Sequence, residues 1–237
     1  QTGMDPTSEG VANHLEDFAF SPDQCRALAA GMRVTMEAGL KGEPSDLRML
    51  PSYVTHMPDG SESGVFYALD LGGTNFRVIR VSLTSGGKSE VQFKKFALTK
   101  ELVTGEGEAL FLFLAKCIRD TIVHMGDEPS PPDPHRLGFT FSFPCIQTAV
   151  NKGSLVWWTK GFTCSGVEGQ EVVALLQRAL EHPEVGVSVV VEALVNDTVG
   201  TLMAAKREHP ACVIGIIFGT GTNACYVEKV DEITKME

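Results

Sequence analysis

No apolar run in this sequence approaches the roughly 20 residues a bilayer-spanning helix needs. No basic cluster followed by an apolar stretch marks the N-terminus as a secretory signal. Cations are also scarce: 20 Lys and Arg face 30 Asp and Glu, a formal net charge of −10. That balance argues against nucleic acid or an anionic membrane as the main partner. A phosphate-bearing ligand is still allowed, because it needs only local backbone amides and one or two cations. The six cysteines include no Cys-x-x-Cys pair, and no His stands beside them at metal-ligand spacing. Without an export signal they are expected to be reduced, mostly buried thiols in a cytoplasmic protein. The remainder, 43% apolar and 21% charged, is ordinary for a globular chain of one large domain or two modest ones. The polar segment Gln1 to Gly10 reads as a frayed tail.

Local signals divide the chain into two styles. Ser21-Pro22-Asp23-Gln24 opens a helix with a capping serine, a proline at the first turn and a glutamine that completes a capping box. Cys25, Leu28, Ala29, Met32 and Met36 follow at helical spacing and are expected to face a core. After a Gly/Pro/Ser-rich loop from Gly39 to Gly64, three extended runs follow: Gly64 to Asp70, Phe76 to Val81, and Val91 to Leu98. They predict an antiparallel meander. Beyond it, helices over Gly107 to Met125, Gly169 to Leu180 and Thr198 to Lys206 alternate with strands over Leu137 to Phe143, Val187 to Glu192 and Ala211 to Phe218. An extended run over Ala224 to Val230 comes last. A meander joined to alternating strands and helices predicts an α/β fold with a mixed sheet.

Two segments about 150 residues apart echo each other. Leu69-Asp70-Leu71-Gly72-Gly73-Thr74-Asn75-Phe76-Arg77 and Ile217-Phe218-Gly219-Thr220-Gly221-Thr222-Asn223-Ala224-Cys225 share one plan: an apolar strand, a glycine-bearing turn, the triplet Gly-Thr-Asn and a second extended run. Glycines let a turn approach an anion without a Cβ in the way. Successive backbone amides then form an anion-binding nest, to which threonine hydroxyls add donors. Ordinary hairpin turns are the plainer reading of either copy alone; the repeated triplet favours a polyphosphate held between two bends.

Other matches carry less. Gly86-Gly87-Lys88-Ser89 lacks the upstream glycine of a P-loop and lies between strands. Gly219-x-Gly221 lacks the third glycine and following helix of a dinucleotide site. Asn196-Asp197-Thr198 fits a glycosylation sequon, which means little without a signal peptide. The chemistry-bearing residues cluster where strands end, as ligand groups do in α/β sheets. Asp70 closes a strand beside the first bend and suits Mg²⁺ held through water, or a turn cap. Ser142 closes another before Pro144. Trp157-Trp158-Thr159-Lys160-Gly161-Phe162 sets aromatic faces beside a hydroxyl and an ammonium, a composition suited to carbohydrate or to a packed loop. Asn196-Asp197 precedes a helix, where asparagine is a common N-cap; capping does not exclude catalysis.

Together, the first bend, Leu137 to Pro144, Thr159 to Phe162, Val195 to Thr201 and Gly219 to Tyr226 resemble, in this order, the motifs of eukaryotic hexokinases and glucokinases. The resemblance implies the actin-like, ribonuclease-H-like ATPase fold, with a five-stranded mixed sheet in its small lobe. It implies lobes divided as 1–62, the helical part of the large lobe, 63–196, the small lobe, and 197–237, the start of the large lobe. The implied activity is transfer of the γ-phosphate of ATP to the 6-hydroxyl of glucose or another hexose, as in the first step of glycolysis. Asp70, Gly72, Gly73, Thr74, Asn75 and Arg77 match the first phosphate motif, and Gly219, Thr220 and Gly221 the second. Ser142, Phe143, Thr159, Lys160, Asn196, Asp197 and Asn223 match sugar contacts, with Asp197 as catalytic base aided by Lys160. ATP and Mg²⁺, with Asp70 toward the metal, are the implied cofactors. Thr222 departs from the serine or cysteine of many relatives. The family's later Asn-Met-Glu sugar segment and adenosine motif have no counterpart before Glu237, so the chain alone is expected to be inactive. A non-catalytic sugar sensor on the same fold is the alternative; retention of Asp197, Lys160 and Asp70 speaks against it.

Overall fold

Alternation of burial identifies the central strands. In β1 (Gly64–Leu71) the buried positions recur every second residue at Tyr67, Leu69 and Leu71. The same period sends Ala68 and Asp70 to the opposite face. β2 (Asn75–Thr84) pairs antiparallel with β1 and buries Phe76 and Val78 beside it, and β3 (Lys88–Ala97) completes the expected meander. The computed structural model describes residues 19–73, 75–84, 88–219 and 222–236. The N-terminal tail, Thr74, Gly86, Gly87, Thr220 and Gly221 lie outside the described residues.

β4 (His135–Phe141) joins β1 in parallel and β7 (Val189–Val195) joins β4 in parallel, giving the sheet order β3-β2-β1-β4-β7. The fold is α/β with a mixed sheet, as the pattern of strands and helices predicts, and the five strands of that sheet are the number the resemblance implies. Parallel neighbours need long crossovers. The first contains β2, β3, the short helix α2 (Lys100–Thr104) and the long α3 (Gly107–His124). In α3, Leu110, Leu114, Ile118 and Ile122 recur at helical spacing and are fully buried in the same core as Tyr67, Leu69 and Leu71. Each such side chain contributes about 1.5–3 kcal/mol by leaving water. A polar lock fixes the carboxyl end of α3. Just beyond it, Asp127 accepts from Arg80 Nε and Nη2 at 2.7 and 3.0 Å and from the Tyr67 hydroxyl. Arg80 holds the Asp127 carboxyl below the usual carboxylate range.

The second crossover carries a hairpin not foreseen in the sequence, β5 (Cys145–Ala149) with β6 (Lys152–Leu155), and the helix α4 (Val172–Leu180). This helix starts later than the expected Gly169, because Gly169 sits at φ +75°, outside helical space. Glu171 supplies the cap by accepting from the amides of Val173 and Ala174. After β7 come α5 (Asp197–Glu208) and an antiparallel hairpin of β8 (Ile214–Phe218) and β9 (Thr222–Tyr226). α5 approaches β8 so closely that a Cβ on Gly215 would lie 2.7 Å from the Thr198 carbonyl oxygen. On the outward face of β8, Ile214, Ile216 and Phe218 are exposed. The extended run expected to Val230 stops at Tyr226, and Val230–Glu232 is a 3₁₀ turn.

The elements from Leu50 to Glu228 form one compact unit; the described residues 19–49 with 229–236 form another. In the smaller unit, α1 (Pro22–Lys41) shows the predicted capping box, with Ser21 N donating to Gln24 Oε1 at 2.8 Å and Gln24 N to Ser21 Oγ at 3.2 Å. The core reading of its apolar stripe is overturned. Cys25, Leu28, Ala29 and Met32 are exposed, Met36 is half-buried, and Gly39 is the buried residue of the helix. Periodicity specifies which residues share a face, not that an element covers it. Within this unit the helix is held near its carboxyl end, where Lys235 Nζ donates to the carbonyls of Gly39, Arg48 and Met49 at 2.8, 2.5 and 2.7 Å.

All six cysteines are free: Cys117 and Cys164 are buried, Cys145, Cys212 and Cys225 half-buried, and Cys25 exposed. Burial pushes the Cys145 thiol up to about 12, so it stays protonated and unreactive near neutral pH. Among the described residues no helix is long and apolar enough to cross a membrane.

Candidate active site

The first glycine bend sits where β1 leaves the core. Leu69 and Leu71 are fully buried, so Asp70 between them points to the opposite face. It stands opposite Arg77 of β2 and Thr140 of β4. Arg77 Nη1 donates to Asp70 Oδ2 at 3.4 Å. Burial holds the Asp70 carboxyl above its ordinary range; Arg77 opposes this, the Asp197 carboxylate adds to it, and Lys160 relieves it. Two carboxylates and two cations therefore share one electrostatic environment.

Ser142 reaches the same place from β4. Its backbone N donates to the Leu71 carbonyl at 3.0 Å, which continues the β1–β4 ladder past the strand ends and brings Ser142 beside Gly72. A Cβ on Gly72 would lie 2.9 Å from Ser142 Oγ and 3.7 Å from Lys160 Nζ, so only glycine lets these groups close together.

Lys160 is set by an unusual turn. Lys160 and Gly161 both have positive φ, at 56° and 82°, and Phe162 N donates back to the Thr159 carbonyl at 3.1 Å. A left-handed lysine costs on the order of 1 kcal/mol. The surrounding aromatics hold it there: Phe143, Trp158 and Phe162 pack with ring centroids 4.9–5.2 Å apart, and Lys160 Nζ lies 5.7 Å from the Phe143 ring centre. Phe143 is buried, so its ring forms the floor beneath the ammonium. Thr159, half-buried, opens the turn.

Asn196 caps α5, as the sequence suggests, and does more. Its Oδ1 accepts from Thr198 N at 3.2 Å, Thr198 Oγ1 at 2.8 Å and Asn223 Nδ2 at 2.9 Å. The last bond ties β9 of the second hairpin to the start of the helix. Asp197 is the first helical residue, half-buried, and its Oδ1 accepts from Thr198 N at 3.0 Å.

These pieces surround one cleft of about 440 Å³. From the first bend, Asp70, Gly72, Gly73, Asn75 and Arg77 line it; Ser142, Lys160 and Asp197 close it from the strand, turn and helix ends. Ile217 of β8 also faces it, so both hairpins border a single space. Phe143, Thr159, Asn196 and Asn223 are not among the residues that line it, and Gly219, exposed, follows the end of β8. Lys95 of β3 lines the cleft and was not foreseen. Its signal was available: counting register through the two hairpins puts Lys95 opposite Arg77.

Comparison with known proteins identifies the family. The family model described as hexokinase matches residues 10–207, and a second hexokinase model matches 213–237. Hexokinase-3 from Homo sapiens is 47% identical over 220 residues, 92% of this chain and 23% of that protein. Hexokinase-2 from Solanum tuberosum is 44% identical over 234 residues, 96% of this chain and 47% of the relative. A hexokinase structure from Schistosoma mansoni, complexed with glucose, superposes with a TM-score of 0.84 at 41% identity, covering 97% of this chain and 51% of that one. The chain thus spans about a quarter to a half of the length of these relatives. Strand order, glycine bends and family match converge: this chain belongs to the hexokinase family.

Proposed function

We propose that this chain carries the phosphate-binding bends, most of the sugar pocket and the base of an enzyme that transfers the γ-phosphoryl group of ATP to the 6-hydroxyl of glucose or another hexose in the cytoplasm. One observation carries the reading: Asp197 lines the same cleft as the first glycine bend, together with Lys160 and Ser142, which approach Gly72. The glucose complex of the Schistosoma relative supports a hexose as acceptor.

Phosphoryl transfer needs positioning and charge stabilisation more than covalent chemistry. Asp197 takes the 6-hydroxyl proton as that oxygen bonds to the γ-phosphorus and the bond to the bridging β–γ oxygen breaks, releasing ADP. Ser142, Thr159, Asn196 and Asn223 orient the sugar's hydroxyls, over an aromatic floor that includes Phe143. Lys160 bonds the sugar and offsets developing charge. Backbone amides of Gly72, Gly73, Thr74 and Asn75 and of Gly219, Thr220 and Gly221 hold the phosphates, with Arg77 beside the first set. Mg²⁺ fits the donor set: the Asp70 carboxyl is raised by burial and by Asp197, and a divalent cation held through water would relieve both. When bound it neutralises phosphate charge.

The decisive test is Asp197→Ala in the full-length protein. Glucose phosphorylation in a coupled assay is expected to fall by about 10²–10⁴-fold, with glucose binding retained by calorimetry. Turnover at the wild-type rate would remove Asp197 from the role of base.

A further inference from the structure

β7 is an edge of the five-stranded sheet, and two glutamines cover its outer side at opposite ends. Where β7 begins, Gln177 of α4 stands in for a further strand: its Nε2 donates to the Val189 carbonyl and its Oε1 accepts from Val191 N, both at 3.1 Å. Where β7 leads into Asn196 and Asp197, the β5–β6 hairpin takes over. Leu194 N donates to the Val150 carbonyl at 2.7 Å, and Gln147 Nε2 donates to the Leu194 carbonyl at 2.9 Å. A glycine makes room for that reach. Gln147 faces Gly153 in the hairpin register, and a Cβ on Gly153 would lie 3.0 Å from Gln147 Cγ and 2.6 Å from Leu194 Cδ2. Between Gln147 and Ala149 the register slips, an irregularity of the kind that re-aims a side chain beside an active site.

The hairpin therefore joins three parts of the cleft. Ser142 comes just before β5, and Thr159 and Lys160 come just after β6. Val156 N donates to the Pro144 carbonyl at 2.9 Å and closes the base between them. Gly153 N donates to Glu171 Oε1 at 3.1 Å, which fastens the hairpin to the cap of α4. Its far end holds Leu194, three residues before Asp197. We infer that Gln147 is a positioning residue for Asp197: by holding the Leu194 carbonyl it fixes where β7 ends, and so where the first residue of α5 presents its carboxylate. The inference rests on the phosphotransfer reading and deepens it. A glutamine that only satisfies an edge carbonyl would support the strand and leave the carboxylate indifferent to its loss. Gln177 makes bonds of the same kind at the other end of the same strand, and so it serves as the control.

The experiment uses the full-length protein as wild type, Gln147→Met and Gln177→Met; methionine keeps the length of the side chain and removes its amide. Gln147→Met is expected to lower kcat roughly tenfold, because an ångström of misplacement costs up to about 10²-fold. KM for ATP stays within about twofold, since the phosphate bends are untouched. Gln177→Met keeps kcat within about twofold while lowering Tm at least as much as Gln147→Met does. In an Asp197→Ala background Gln147→Met lowers kcat no further, because a residue that acts through the base has nothing left to position. Amide exchange followed by mass spectrometry over residues 193–201 needs no turnover, and it becomes faster in Gln147→Met than in Gln177→Met. A wild-type kcat in Gln147→Met with wild-type exchange over 193–201, or an equal loss of kcat in Gln177→Met, would overturn the assignment. If the wild type phosphorylates no hexose but Gln147→Met still loosens 193–201 more than Gln177→Met, the reaction is misassigned and the positioning role stands.

Discussion

The two hairpins that share the Gly-Thr-Asn triplet are supported very differently. The first has eight registered pairs between β1 and β2, is extended by β3 and β4, and buries Tyr67, Leu69, Leu71, Phe76 and Val78 in the main core. The second has five pairs and no third strand among the described residues, and it rests on α5 by one face. Of its strand residues only Gly215 is buried, while Phe218 is 82% exposed. A two-stranded ribbon is marginal by itself. A bend's capacity to hold phosphate is local, residing in glycines and amides; its rigidity comes from whatever packs behind it.

Stability measurements can break this contrast. Leu69→Ala in β1 is expected to cost about 2–5 kcal/mol in urea denaturation, since it empties a sealed core position. Ile216→Ala at the outward face of β8 should change stability by no more than about 0.5 kcal/mol. Similar losses from the two would show that both hairpins are equally supported.

The glycines sharpen it further. Gly215→Ala drives a methyl against the Thr198 carbonyl, a backbone atom of α5, and should cost about 1–3 kcal/mol and lower kcat, because the helix bearing Asp197 must shift. Gly72→Ala presses instead on Ser142, whose Oγ can rotate away but whose Cβ, 3.0 Å from the new methyl, must give by a few tenths of an ångström. A smaller stability loss with a raised KM for the sugar is expected. If Gly215→Ala leaves kcat intact, the close packing of β8 on α5 does not position Asp197.

The smallest effect has the opposite sign. Burial raises the Asp70 carboxyl's pKa, so folding favours its protonated form, and the ionised form weakens the fold at neutral pH. Asp70→Asn should therefore raise Tm by about 1–3 °C at pH 7, with the gain shrinking as pH falls through the carboxylate range, while activity is lost. A lower Tm at pH 7 would show that the Arg77 pairing outweighs burial.

Much of this was legible in the residues because local rules and packing agree there. The meander, the capping box at Ser21 and the mixed character of the sheet follow from alternation, caps and turn glycines, while its five strands were implied by the resemblance. The β5–β6 hairpin escaped because Lys152–Leu155 is four residues with no β-branched run, so its pairing depends on tertiary context. The stripe on α1 misled because spacing implies a face, not a partner for it. At the site, Asp70, Ser142, Lys160 and Asp197 stood out as polar residues at strand or turn ends, where sheets present ligand groups. Lys95 did not, since a lysine within an edge strand looks like any solvated lysine until register is counted across two turns.

The three bonds converging on Asn196 Oδ1 have a mechanical consequence. Two of them fix the first turn of α5 and the third, from Asn223, ties that turn to β9, so a swing of the second hairpin alone would break the Asn223–Asn196 bond. A hinge that widens the cleft and keeps that bond carries Asp197 and the second hairpin together, away from Asp70 and Gly72. On the roles proposed above, the proton acceptor and the second phosphate grip would then arrive together.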